Sequence, residues 1–399
     1  MRRRFFFIFT LPRHLLPKAQ PPFQYWRNVM SKFQWDPTQD QTYITADGSQ
    51  TVTTQTIDKV AGKSFNMNAM EQTLELQLPM PTKPTVFCWG KSSGAYGKTT
   101  NINISQGVFR VICPDWQGTN VDNSYALLSN EDYRNTTNIT LLGNSRLELI
   151  NFNDIQLAAL DDGNLSDFTC NVKIIEDSLF SINGSDIVSI LSNIEISDNA
   201  EFQIISSQLQ LGMKGVGERL VVNGTPDPAA EYSLLFDSTS FKPSQGQIVS
   251  TTFKGDSVSK LISKNITFED NLIEDNAKVY IQTDNYNYTG LFDSDISINI
   301  GSGSAELTIA PIKDNDYVFD LQFPIDEPYP EGMFNFIKND AINNGKLILS
   351  TNSNNGFGFQ QMLSMKMIYI NGAPATKELE FNNEYESIKG YMVIKLRNI

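Results

Sequence analysis

The chain has 399 residues, 40 % of them hydrophobic and 19 % charged, and a formal net charge of −14. The apolar fraction suffices for an extended core, and the acidic balance excludes a nucleic acid as an expected partner, because the phosphate backbone would be repelled. No apolar run reaches the ~18 residues of a membrane helix. The low charge content favours strands with polar turns over helices with charged faces.

The first 29 residues form a basic segment with a short apolar run. This arrangement is typical of a secretory signal, but Pro12 interrupts the run and no small-residue cleavage site follows it. We therefore expect residues 1–29 to be an upstream extension or a disordered tail, with Met30 as the true start. The only histidine, His14, lies in this segment, so a body without it has no imidazole for serine or cysteine catalysis or for the common zinc sites.

Two sequences in residues 30–100 resemble the end of a phosphate-binding loop. Gly62-Lys63-Ser64 and Gly97-Lys98-Thr99 both lack the first glycine of that motif. A phosphate loop also needs a following helix, whose N-terminus holds the phosphate. Alternating residues such as Ile102 and Ile104 instead predict strands, so we expect no nucleotide site. We interpret residues 30–100 as a segment that caps or flanks a repeat array.

An internal repeat with a period of 22 residues follows. The segments that begin at Asn171 and Asn193 align without a gap, and apolar and polar residues alternate in both, as in strands with one buried face. The aligned pairs are Val172 with Ile194, Ile174 with Ile196, Phe180 with Phe202, Ile182 with Ile204 and Ile187 with Leu209. A gapless offset over several strands favours a solenoid over an antiparallel meander, whose hairpin neighbours need no fixed offset.

Further copies extend the repeat in both directions. They begin at Asn101, at Asn138 after one inserted residue, at Asn265 after a five-residue insertion and, more weakly, at Ser297. The sequence thus predicts an all-β fold, a right-handed parallel β-helix solenoid with about three strands and about 22 residues per coil.

The predicted solenoid occupies residues 101–310 and has capping segments at both ends. Prolines become frequent after Pro311, and we expect irregular C-terminal coils and a cap over residues 311–399. The same region is predicted to contain a short helix near Met333–Ile342. Caps are expected because an uncovered solenoid end is an open sheet edge.

One strand pattern resembles a known superfold. The pattern is an Asn, then Ile or Val, any residue, and Ile or Phe, followed by Asp-Asn-Ala-x-Phe-x-Ile. It is similar to right-handed parallel β-helices of the pectin-lyase-like superfold, and most of all to passenger domains of bacterial autotransporter adhesins. Asn171–Ile190, Asn193–Leu211 and Asp275–Ile281 carry this resemblance. It implies a detached passenger that binds glycan or host protein, and phage tail spikes and polysaccharide-cleaving enzymes share the architecture.

Acidic pairs supply the candidate catalytic residues. Glycoside hydrolysis needs two carboxyl groups ~5–5.5 Å or ~6.5–9.5 Å apart, and neighbouring coils can hold such pairs on their outer face. The candidates are Asp161 and Asp162 with Asp167, and Asp293 with Asp295. Asp is also common in turns, where it bonds its own backbone, and we expect that role for these residues. The sequence therefore favours a protein without catalysis.

An aromatic loop supplies the candidate binding residues. Tyr286, Tyr288 and Phe292 lie close to Asp284 in a polar stretch, and exposed aromatic rings beside acids and amides can stack on sugars. The alternative is a loop whose rings fold back on the coil. No calcium-loop or zinc pattern is present, so neither a metal nor a cofactor is expected. The three cysteines are expected to be buried thiols, with a Cys88–Cys113 disulfide as the alternative in a secreted protein.

These observations favour a non-catalytic, adhesin-like binding module for polysaccharide or a host surface protein. The alternatives are a β-helical polysaccharide lyase or hydrolase and a structural protein similar to a phage tail spike. We expect an extracellular or cell-surface location, with the cytoplasm or a phage particle as the alternative. The sequence does not indicate an oligomeric state.

Overall fold

The computed structural model describes residues 33–54, 62–78, 85–88, 98–114, 126–129, 136–152, 154–158, 170–211, 213–214, 248–249, 251–268, 271–283, 285–286, 298–313, 318, 331–339, 342–351, 357–382 and 391–397. Within these residues the strands form one open, mostly parallel sheet of 26 strands and a small two-stranded sheet. This confirms the predicted all-β, solenoid-like character.

Three ladders of parallel strands build the solenoid. The first ladder contains β1 (Gln41–Ile44), the start of β3 (Ser64–Gln77), the start of β5 (Thr99–Ile112), β7 (Thr136–Leu141), β10 (Cys170–Ile174), β12 (Asn193–Ile196), β16 (Thr251–Phe253), β18 (Asn271–Asp275), β21 (Ile298–Gly303), β23 (Phe334–Phe336) and β25 (Ile368–Ile370).

The second and third ladders share their longest strands. The second contains β2 (Gln50–Thr53), the ends of β3 and β5, β8 (Ser145–Ile150), the starts of β11 (Leu179–Leu191), β13 (Glu201–Leu211) and β17 (Val258–Phe268), β19 (Lys278–Gln282), β22 (Glu306–Ala310) and β24 (Lys346–Ser350). The third contains β4 (Thr85–Cys88), β6 (Ala126–Ser129), β9 (Asp154–Ala158), the ends of β11, β13 and β17, and β20 (Asn285–Tyr286).

Parallel pairing extends beyond residues 101–310. It begins with β1 and β2, both of which pair with β3, and it continues to β25. The spacing of 22 residues holds between β10 and β12 and between the starts of β11 and β13. Parallel register partners in other neighbouring layers lie from 20 positions apart, as Thr251 and Asn271, to 57, as Ile194 and Thr251. The variation arises where the chain enters the first ladder and where it connects the second to the third. It also arises at the corner between β23 and β24, because Phe334 pairs with Ile298, 36 positions earlier, and Lys346 with Glu306, 40 positions earlier.

The predicted register is correct over most of the repeat. Val172 pairs with Ile194 and Phe180 with Phe202, as the 22-residue offset requires. The predicted pairing of Ile187 with Leu209 is wrong by one residue, because the register shifts between Asn183 and Ser185. Gly184, with φ +73°, is the additional residue at this bulge.

The copy predicted to start at Asn265 is also placed differently. Asn265 and Ile266 continue the third-ladder part of β17, opposite Gln208 and Leu209. The strand equivalent to β12 is instead β18, six residues later. The error arose because apolar residues alternate both in the third-ladder part of β17 and in β18, so these two successive strands have similar patterns.

The C-terminal region departs from the parallel pattern. The predicted helix near Met333–Ile342 is wrong, since β23 lies there and pairs with β21 and β25. The residue pattern explains the strand, because the buried Phe334 and Phe336 alternate with the outward Asn335.

The remaining described elements are a 3-10 turn (Thr45–Asp47), β14 (Met213–Lys214), β15 (Ile248–Val249), the helix α1 (Phe357–Ser364), β26 (Ala373–Pro374), β27 (Leu379–Asn382) and β28 (Tyr391–Leu396). Strand β28 pairs antiparallel with both β24 and β27.

The corner between the first and second ladders repeats one short motif. A residue with positive φ comes first, then a polar residue, then a buried Ser or Ala. The motif occurs at Gly143-Asn144-Ser145, Glu176-Asp177-Ser178, Asp198-Asn199-Ala200, Gly255-Asp256-Ser257, Asp275-Asn276-Ala277 and Gly303-Ser304-Ala305. Carboxylates at the first position cap the neighbouring layer: Glu176 accepts from the Gly143 amide at 2.6 Å, and Asp198 accepts from the Glu176 amide at 3.2 Å.

Candidate functional site

The residues that the sequence nominated as sites lie almost entirely outside the described residues. Asp161, Asp162, Asp167, Asp284, Tyr288, Phe292, Asp293 and Asp295 are all outside them. Tyr286 belongs to β20, where its backbone pairs with Ile266 of β17. The proposed acidic pairs and the aromatic loop therefore stay predictions.

A depression at the N-terminal end of the described solenoid offers a different candidate. We call it the Trp35 pocket. It is lined by Trp35, Pro37, Gln39, Gln41, Lys63, Ser64, Phe65, Thr100 and Ile102. It is a shallow depression that is open to solvent and lined mostly by apolar atoms.

Strands of the first ladder form one wall of this pocket. Gln41, Phe65 and Ile102 are register partners in β1, β3 and β5, so they lie above one another in successive layers. Such layers are ~4.8 Å apart. Because ladder hydrogen bonds fix all three backbones, this wall is rigid and needs no ligand to form it.

The segment before β1 contributes Trp35, whose ring forms the aromatic wall of the pocket. The Trp35 ring lies 5.3 Å from the Phe65 ring and 5.9 Å from the Phe109 ring. A turn fixes the chain directly after it, because Asp36 accepts hydrogen bonds from the amide and hydroxyl of Thr38, at 3.0 and 2.6 Å. These bonds, the Thr38 side chain first, lower the pKa of the Asp36 carboxyl, which stays ionised.

Several hydrogen-bonding groups of the pocket remain unused within the described part of the chain. The Trp35 indole nitrogen Nε1 is buried and has no acceptor there. The amide nitrogens of Gln39 and Gln41 donate to Asp36 Oδ2 and to the Gln34 carbonyl, both at 2.7 Å. No donor among the described residues reaches the side-chain oxygens of Gln39 or Gln41. The indole nitrogen of Trp35 is therefore a buried donor without an acceptor among the described residues.

Opposite charges balance around the pocket. The carboxylates are Asp36 and Asp40, of which Asp40 accepts from the Ser64 amide at 2.7 Å. The ammonium groups are Lys63 on the lining and Lys98, whose Cβ would lie 3.2 Å from a Cβ built at Gly62. Residues of both charges therefore lie on the pocket lining or next to it.

Two residues of the pocket lining also belong to a sequence motif described above. Lys63 and Ser64 belong to the first of the two phosphate-loop fragments, and Ser64 and Thr99 each begin a long strand rather than a helix. This confirms the predicted strands after both fragments, and the expected lack of a nucleotide site stays a prediction. The signal that sequence analysis missed was Trp35, an aromatic residue in a stretch rich in Gln and Asp that directly precedes the first strand.

The other charged clusters among the described residues are ion pairs on outward faces. Arg110 bonds Glu75 at 3.0 Å and Glu148 at 2.7 Å. Burial alone would lower the pKa of Arg110, but the bonds to these two glutamates outweigh burial and raise it. No group of three His, Cys, Asp or Glu side chains within the described ranges is arranged to hold a metal ion.

Two cysteines are buried free thiols. Cys113 and Cys170 form no disulfide, and burial raises the pKa of the Cys170 thiol to about 12. A thiol with this pKa is protonated at neutral pH and is a poor nucleophile or metal ligand.

The described strands form a solenoid-like, mostly parallel sheet with a small pocket near its N-terminal end. No protein-family model matches the chain, and no curated protein or solved structure is significantly similar to it. The helix that the structure describes, α1, is short, and no helix among the described residues has the length and hydropathy to cross a membrane.

Proposed function

We propose that this chain is a non-catalytic binding module that recognises glycans, comparable to an adhesin passenger. The observation that carries the proposal is the Trp35 pocket, in which an indole ring lies beside amide and hydroxyl groups. Aromatic rings contact the apolar faces of sugars, and amides and hydroxyls bond their hydroxyl groups. A host surface protein is the other partner class that the sequence indicated.

We further infer a right-handed β-helix whose ends are capped. Residues 30–100 would flank the first coils and continue their ladders through β1, β2 and β3, residues 101–310 would form the regular solenoid and residues 311–399 would close the far end, with residues 1–29 as a separate tail. The contact of Trp35 with Phe65 supports an N-terminal cap. The antiparallel pairing of β28 with β24 supports a C-terminal cap, because it ends the parallel ladder.

We propose that the module acts outside the cell, on a surface or after secretion. The net charge of −14 and the polar outward faces suit exposure to solvent. Antibody labelling of intact producing cells, compared with permeabilised cells and with culture medium, tests this. Labelling only after permeabilisation would support the cytoplasmic alternative, and recovery in virus particles would support the phage alternative.

A panel of polysaccharides and oligosaccharides tests the binding function. The full chain is expected to bind at least one glycan in calorimetry without releasing reducing ends or unsaturated uronate. Turnover that disappears in Asp161→Ala or Asp293→Ala would establish the enzyme alternative instead. Absence of binding to every glycan, with binding to a host protein, would replace the glycan proposal by the protein one.

A further inference from the structure

The outward side chains of five neighbouring layers form a partly apolar surface. These layers contain β5, β8, β11, β13 and β17, which pair in this order in the second ladder. Inward residues such as Phe180 and Ile182 are buried, so the residues that alternate with them point away from the core. Among the outward residues, Ile205 and Val258 are 44 % and 46 % exposed.

Register pairing arranges the outward residues in three columns that run across the layers, with steps of ~4.8 Å. The first column contains Val108, Arg146, Leu179, Glu201 and Val258. The second contains Arg110, Glu148, Ser181, Gln203 and Lys260. The third contains Ile112, Ile150, Asn183, Ile205 and Ile262. We call these residues the second-ladder face. Contiguous outward apolar residues of this kind are typical of interaction sites.

The columns are close to symmetric about β11. The third column reads Ile-Ile-Asn-Ile-Ile, and the first has Val at both ends and Leu at its centre. The face is therefore complementary to itself when a second copy is turned about a two-fold axis along β11, as an isologous interface requires. We propose that the second-ladder face binds a second copy of this chain, with the layers of the two copies running in opposite directions. This inference is independent of the proposed glycan-binding function.

Apolar residues meet one another in this arrangement. Ile150 faces Ile205 of the second copy, and each of the other outward isoleucines and valines of the face likewise meets an isoleucine or valine. Removing these side chains from water favours association in proportion to the apolar area buried. Asn183 faces its own copy, and paired side-chain amides at that position fix the register, as a central Asn does in coiled coils.

Charge favours this direction over the alternative. Arg146 faces Glu201 of the second copy, and the two-fold axis repeats the pair. Both side chains are exposed, and neither forms an ion pair with another described residue. If the layers of the two copies ran in the same direction, Arg146 would face Ile150 and would lose hydration without gaining a partner.

The remaining charges of the face are compatible with the same arrangement. Lys260 of the second copy faces Arg110. Glu75 and Glu148 already bond Arg110, at 3.0 and 2.7 Å, so this cluster has a net negative charge. Lys260 is therefore attracted to the cluster as a whole.

The size of the face sets the expected affinity. Five layers and five residues along each strand cover about 24 Å by about 17 Å, which is about 400 Å² of flat area per copy. Standard interfaces bury about 800 Å² per partner. We therefore expect a reversible dimer with a Kd in the micromolar range rather than an obligate one.

Sedimentation velocity of the full chain tests the inference over concentrations from ~1 to ~200 μM. The dimer fraction should rise with concentration. Ile205→Asp should weaken self-association at least about tenfold, because it places a charge against Ile150 of the second copy. Ile342→Asp is the matched control, since Ile342 is 74 % exposed and lies outside the face, and it should associate as the parent does. Circular dichroism checks that both variants are folded.

A charge exchange tests the direction of the two copies. Arg146→Glu should weaken self-association about 2–10-fold, the effect of two exposed ion pairs, and adding Glu201→Arg should restore it. The layer of Leu179 separates the two positions within one copy, so restoration reports a contact between copies. Asn183→Cys, on the two-fold axis, should form a disulfide-linked dimer under mild oxidation, whereas Asn193→Cys, exposed on the first ladder, should not.

Each other outcome would overturn the proposal. A chain that stays monomeric over the whole concentration range has no such interface. A dimer that survives Ile205→Asp, or that the charge exchange does not restore, is formed by another surface. A monomeric chain that binds a different protein through this face would replace the second copy by that partner.

Discussion

Removing the stacked rings of Phe180 and Phe202 tests the register of the solenoid. Both side chains are fully buried, and their ring centroids are 5.7 Å apart with an interplanar angle of 44°. Replacement of a buried Phe by Ala typically destabilises a protein by about 3–5 kcal/mol. We expect the upper half of this range for Phe180→Ala, because ladder hydrogen bonds on both sides hold the strand and prevent collapse into the cavity.

A double-mutant cycle isolates the ring contact. Phe180→Ala, Phe202→Ala and the double variant are compared by urea unfolding, followed by circular dichroism, with the outward Ser181→Ala as control. The geometry lies within the range of favourable aromatic pairs, so a coupling of about 0.5–1.5 kcal/mol is expected. Effects that add to within about 0.3–0.5 kcal/mol would show that the rings are not neighbours. Equal slopes against urea concentration are required for this comparison.

Three other predictions concern charge, backbone and thiol chemistry. Arg110→Gln should lower the unfolding free energy at pH 7 by about 1–3 kcal/mol. An unfolding free energy equal to that of the parent would show that the two ion pairs contribute nothing to stability. Gly107→Ala should destabilise by at least about 1–3 kcal/mol, because its φ is +93° and the new Cβ would overlap backbone oxygens, whereas Gly48→Ala, at φ +69° in open space, should cost less in the same melts. Cys170 should resist iodoacetamide at pH 8 until urea is added, as judged by peptide mass spectrometry.

The sequence predicted the stacking of layers because the pattern that creates the stack is local. Alternating apolar residues specify an inward face, and a constant offset places like residues above one another. Phe180 on Phe202 follows directly from this. The one-residue slip at Ile187 did not, because a glycine bulge changes register without interrupting the alternation.

The Trp35 pocket could not be predicted in the same way. Its lining comes from three layers whose register partners are separated by long and unequal connections, so no spacing in the sequence brings Trp35 to Ile102. The unused indole N–H is likewise a property of packing rather than of pattern. Composition around Trp35 was the only signal available, and a cap explains that composition equally well.

The two kinds of corner in the solenoid have different roles. In six of the described layers the corner after the first ladder is short, and its left-handed residue, polar residue and small buried residue precede the next strand directly. The chain entering the first ladder varies widely in length, and residues 159–169 and 287–297, which hold most of the candidate acids and aromatics, lie in the sequence just before β10 and β21. The Trp35 pocket lies at the starts of β1, β3 and β5, on the same side of the first ladder. Because the rigid corner holds the register, the variable side can differ in each layer without loss of the stack, and it is where ligand-contacting residues are expected.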